Sequence, residues 1–100
     1  MALQVIIKKR FLKKLQETAR YLQEEWNRKV AEEFVILVFY KIQLISKQPD
    51  TGKKTSLKNI RSVLIGKGRQ NKIYYRIEKN RLIIIDMKDT RMNPKQNRFS

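Results

Sequence analysis

Between Lys53 and Arg81 the chain carries ten basic side chains, Lys53, Lys54, Lys58, Arg61, Lys67, Arg69, Lys72, Arg76, Lys79 and Arg81, against one acid, Glu78. Guanidinium and ammonium groups at that density hold phosphate oxygens and stabilise the charge that develops on a phosphorus centre under attack. The segment alternates like a β-sheet rather than a disordered tail, so the cations are held near one another and repel, a cost that a polyanionic ligand relieves. Tyr74 and Tyr75 lie in the same run, where a ring offers a stacking surface to a nucleobase. In the opposing reading both rings pack, Tyr75 because it falls between the inward-facing Ile73 and Ile77.

Other chemistry is closed off by composition. The sequence contains neither Cys nor His, which excludes disulfides, thiolate nucleophiles, histidine-ligated metals and imidazole acid–base catalysis. A nuclease built from these residues would move protons with a Lys, a Tyr or a carboxylate. The acids of the second half are only Glu78, Asp86 and Asp89, too few for a two-metal site, so neither metal nor cofactor is expected. Asp86, in an otherwise apolar strand, is expected to pair with a neighbouring Arg. Gly66 to Gly68 form a flexible turn without the spacing of a phosphate-binding loop.

The elements that must position these groups fit in one domain spanning residues 1–100, with 90–100 a polar basic tail. Apolar residues make up 41% of the chain, enough for one modest core. The net charge of +15 divides unevenly, with 10 basic against 6 acidic residues in the first half and 14 against 3 in the second. Such a field points to nucleic acid, ribosome, anionic membrane or an acidic protein, without choosing among them. The longest apolar run, residues 34–40, is far short of the roughly 18 needed to span a membrane. The apolar stretch of the N-terminus precedes its charges, the reverse of a signal peptide. A cytoplasmic, soluble chain is the expectation, with no membrane partner.

Residues 3–7 read as a strand. Phe11, Leu12, Leu15, Ala19, Leu22 and Trp26 then recur at helical spacing, and Asn27 and Arg28 mark a bend. A second helix runs from about Lys29 through Phe34, Val38, Ile42 and Ile45 until Pro49 stops it. The run 34–40 has strand-like composition, but Glu32 and Glu33 before it and Lys41 and Lys47 after it suit a helix dipole. A helix this apolar must be covered on more than one side, by the sheet and by the first helix or a partner chain. The segment QPDTGKKTS is a loop. Three strands follow at 57–65, 72–77 and 82–88, the last two joined by a hairpin in which Asn80 is available for positive φ. Ile73, Tyr75 and Ile77 share one face with Ile83, Ile85 and Met87. Lys72, Tyr74 and Arg76 share the other, with Arg61 joining them if the register allows. The expected fold is α+β, ordered β-α-α-β-β-β, with an antiparallel sheet packed on a two-helix hairpin.

This order, together with TSLKNIRSVLIGKGRQNKIYYRI, RLIIIDMKDTRMNPKQ and the helix FLKKLQETARYLQEEW, resembles the RelE/ParE superfamily of bacterial toxins over nearly the whole chain. The resemblance implies the toxin of a type II toxin–antitoxin pair, of the plasmid-stabilisation type, neutralised by an acidic antitoxin whose extended C-terminal segment wraps it. Members similar to RelE cleave mRNA in the ribosome, as a metal-independent endoribonuclease, and members similar to ParE poison DNA gyrase. On the nuclease pattern, the family's basic residues fall at Lys58 and Arg61 on one strand, Lys72 opening the next, and Arg91 past the last. Arg91, Arg61 and Lys72 are then the catalytic candidates, and Lys58, Arg69, Tyr74 and Arg76 the groups that hold nucleic acid or another target. A Tyr or His near the C-terminus, common in those nucleases, is replaced here by Asn93, Asn97, Arg98 and Phe99. The rival readings are a non-toxic basic nucleic-acid-binding module and a degenerate toxin that only binds its antitoxin. A homodimer through the second helix is a further option.

Overall fold

The computed structural model describes residues 2–65 and 71–89. Strand β1 (Gln4–Ile7) leads into helices α1 (Lys9–Glu25) and α2 (Arg28–Lys47). A 3-10 turn at Pro49–Thr51 follows, and then strands β2 (Lys53–Lys54), β3 (Arg61–Ile65), β4 (Asn71–Glu78) and β5 (Arg81–Asp89). The bend expected at Asn27 is a helix cap, because its side-chain oxygen accepts a hydrogen bond from Val30 N–H at 2.9 Å. The segment read as a loop contains the 3-10 turn and the two-residue β2.

The five strands form one sheet in the order β1-β5-β4-β3-β2. The contiguous strands pair antiparallel, as expected, but β1 runs parallel to β5, with Ile6 opposite Ile83 and Ile7 opposite Ile84. The helical hairpin intervenes between these two strands, and a connection of that length permits the parallel direction that a tight turn forbids. In the β4–β5 turn the positive φ belongs to Lys79, at 57°, and not to Asn80.

A register shift between Tyr74 and Tyr75 resets one face. Tyr74 is opposite Asp86 and Tyr75 opposite Ile84, which leaves Ile85 as the extra residue of a bulge. Leu82, Ile84 and Met87 therefore face inward, in place of the expected Ile83, Ile85 and Met87. With Ile65, Ile73 and Tyr75 they close on Phe11 and Leu15 of α1 and Val38, Ile42 and Ile45 of α2, forming one core between the hairpin and the sheet. The outer side of α2 is open to solvent at Ile36 (69% exposed) and Tyr40 (57%), with Phe39 and Leu44 beside them. Among the described residues no helix is long and apolar enough to cross a membrane.

Candidate functional site

Register decides which cations meet. Residues directly opposite on paired strands point to the same side of a sheet, and Arg61 is opposite Tyr75, a core residue, so Arg61 belongs to the helix side. Ser62 is opposite Tyr74 and Leu64 opposite Lys72, so Lys72, Tyr74 and Arg76 occupy the other side. The expectation that Arg61 joins Tyr74 and Arg76 on one face is not met. Two of the three catalytic candidates, Arg61 and Lys72, are thus separated by the sheet itself. Arg91 and Arg69 lie outside the described residues.

Arg61 has a structural task. Its Nη1 donates to the Gly52 carbonyl at 2.8 Å, and its Nη2 lies 3.7 Å from Asp50 Oδ1. The Tyr75 hydroxyl accepts from Gly52 N–H at 2.8 Å and donates to the Pro49 carbonyl at 2.7 Å. Both polar groups of Gly52 are thereby tied to the sheet, which fixes the turn ahead of β2. Burial raises the Tyr75 phenol above its ordinary value, with the Gly52 bond and the Arg61 charge opposing that shift. Tyr74 is also buried, at 1% exposure, so neither ring presents a stacking face.

Several of the cations line two hollows. One of about 300 Å³ is formed by the turn before β3, with Lys54, Lys58 and Arg61 in its wall and no acid. Asn59 holds this turn with φ of 65°, and Thr55 Oγ1 donates to the Ile60 carbonyl at 2.8 Å. The other, of about 500 Å³, wraps the edge of β3 beyond β2, where Lys41, Lys53 and Lys72 converge around Ser62, Val63 and Leu64. Arg76 sits 3.3 Å from Glu78, a carboxylate it shares with Arg81 at 3.6 Å.

A further cluster escaped the sequence reading. Asp86 is fully buried and pairs with Arg10 as expected (3.3 Å), but also with Lys14 (2.9 Å) and Lys88 (3.8 Å). One of its oxygens also accepts the Met87 N–H at 2.8 Å. The missed signal was the pairing of positions 10 and 14, one turn apart on α1, with an acid in the last strand. Lys88 is only 8% exposed. The Lys14 ammonium beside it lowers its pKa, burial adds to the effect, and Asp86 opposes it.

These two shifts set opposite stability trends with pH. Lys88 loses its proton earlier in the folded state than in the unfolded chain, so stability rises with pH from its lowered value up to 10.5. Tyr75 keeps its proton longer when folded, so its contribution declines from 10.0 upward. Urea midpoints measured against pH should show the rise in the wild type, and Lys88→Met should flatten it while leaving the decline. An unchanged rise in that variant would contradict the assignment.

Among the described residues no group of three or more His, Cys, Asp or Glu could hold a metal ion. The arrangement suits anion binding: two hollows with no acid in their walls and a cation-rich junction at the sheet. The model of the ParE toxin of the type II toxin–antitoxin system parDE matches residues 5–94. No curated protein matches. Among solved structures, a protein described as belonging to a chromosomal ParDE TA system from P. aeruginosa superposes with a TM-score of 0.77 at 8% identity. That alignment covers 88% of this chain and 96% of the other, a likeness of fold. With the family model spanning nearly every element from β1 to past β5, the chain belongs to the ParE toxin family of type II toxin–antitoxin systems.

Proposed function

We propose that the folded chain arrests growth by poisoning DNA gyrase, and that an acidic antitoxin neutralises it. The observation that carries the choice of gyrase over cleavage is the separation of Arg61 from Lys72 by the sheet, with Arg61 committed to Gly52. A transition-state cradle needs its cations converging on one phosphorus, whereas a poison needs only a cationic surface of fixed shape. The antitoxin reading rests on the exposed Ile36, Phe39, Tyr40 and Leu44 of α2 on a chain of net charge +15. An acidic amphipathic segment would cover that apolar face and be drawn in by the field.

Purified protein added to gyrase, ATP and supercoiled plasmid is expected to accumulate cleaved DNA, and the antitoxin should suppress the cleavage. Unaltered supercoiling and no cleaved product at saturating protein would reject the gyrase target. One observation favours ribosome-dependent mRNA cleavage as a second reading. The crowded Lys88 amino group is the kind of perturbed base that phosphodiester cleavage requires. Discrete cuts in message on translating ribosomes, lost in Lys88→Met, would select that reading.

A further inference from the structure

We propose that the junction between the first turns of α1 and the end of β5 is an anion subsite that takes one phosphate group between Arg10, Lys14 and Lys88. Three cations meet there around a single carboxylate, so the cluster holds a surplus of two positive charges. The carboxylate is already used unevenly. Its Oδ1 lies 2.9 Å from Lys14 Nζ and accepts the Met87 N–H, while its buried Oδ2 faces Arg10 Nε at 3.3 Å without forming an aligned hydrogen bond. Lys88 Nζ reaches that oxygen only at 3.8 Å, beyond hydrogen-bond distance, although the side chain is 8% exposed.

The neighbouring elements add to the imbalance. From β4, Lys72 stands opposite Lys88 in register. On α1 the first turn carries no acid, and the capping residue, Lys8, makes no side-chain cap bond, so no side chain of α1's own first turn counters the positive end of the helix dipole. A carboxylate ligand would offset one charge, whereas a phosphate monoester, at about −1.5 to −2, matches the surplus of two. Its oxygens also suit both point-charge ammonium groups and the planar fork of Arg10. Access is through Arg10, whose side chain is 51% exposed, and Lys14, at 27%. The lowered pKa of Lys88 is what such a site shows while its anion is absent. The subsite does not depend on whether gyrase or the ribosome is the target.

The test follows the lysine side-chain methylene and ammonium resonances of the whole chain while inorganic phosphate replaces chloride at constant ionic strength. Saturable shifts are expected at Lys14 and Lys88, with the Lys88 titration moving to higher pH, and only a linear drift at the exposed Lys29 on α2. Lys88→Met, which removes part of the surplus charge, should fold and weaken phosphate binding at least tenfold. Arg10→Met, at a half-exposed side chain, serves as the second variant. A dinucleotide bearing a 5′-phosphate binding better than its unphosphorylated form identifies a terminal monoester; equal binding of the two identifies the backbone diester. Linear shifts at Lys14 and Lys88 that match Lys29, or saturable binding that survives both substitutions, would overturn the subsite.

Discussion

Asp86→Ala is expected to cost about 3–5 kcal/mol, because removing one member of a buried ion cluster leaves the others uncompensated. The carboxylate is fully buried, and deleting it strands Lys14 and Lys88 against each other with Arg10 alongside. It also removes the acceptor of the Met87 N–H and loosens the attachment of α1 to β5. Against the roughly 5–15 kcal/mol that a domain of this kind has in total, that loss is a large fraction of the stability. Urea unfolding checks this directly. The same argument predicts rescue: Asp86→Leu combined with Lys14→Met and Lys88→Met removes the more buried members together, leaves only the half-exposed Arg10 to water, and should recover most of the loss. A single Asp86→Ala variant with near-native stability would show that water, not the three cations, meets the carboxylate.

Gly52→Ala is expected to destabilise by about 1–3 kcal/mol through overpacking. A methyl group there would meet the Tyr75 hydroxyl, its ring carbon at 2.8 Å and the Ser62 carbonyl at 2.9 Å, and a backbone oxygen cannot swing aside. The residue has an ordinary extended φ of −74°, so the cost is contact and not backbone strain. Tyr75→Phe, which leaves Gly52 N–H and the Pro49 carbonyl without their partner, should also cost about 1–3 kcal/mol. Because both substitutions act on one contact, the double variant should lose less than the sum of the two. Strict additivity in the thermal or urea midpoints would mean that the two residues do not share it.

How far the sequence could be read depended on range. Helical periodicity placed Phe11 and Leu15 of α1 in the core, and the terminator at Pro49 ended α2, because those signals are local. Strand alternation failed at Ile83 and Ile85, where one extra residue in β5 exchanged the faces, and no local pattern announces a bulge. Arg61 was misassigned for a related reason. Its face depends on the pairing with β4, and its partner, the Gly52 carbonyl, is a backbone atom that composition cannot display. Asp86 was legible in kind, an acid needing an Arg, but its other partners, Lys14 on a distant helix and Lys88 two positions on, were not foreseen. Lys88 escaped altogether because burial of a lysine is a property of the folded neighbourhood.

The family membership and the cationic sheet together make one central claim, that this fold by itself halts growth. Inducing the wild-type chain alone in a bacterial host, with its soluble level and viable count followed together, tests that claim most directly. The account predicts that viable counts stop rising while folded protein is present, and that they recover when an acidic partner is co-expressed. Abundant folded protein in a culture that continues to divide would contradict it.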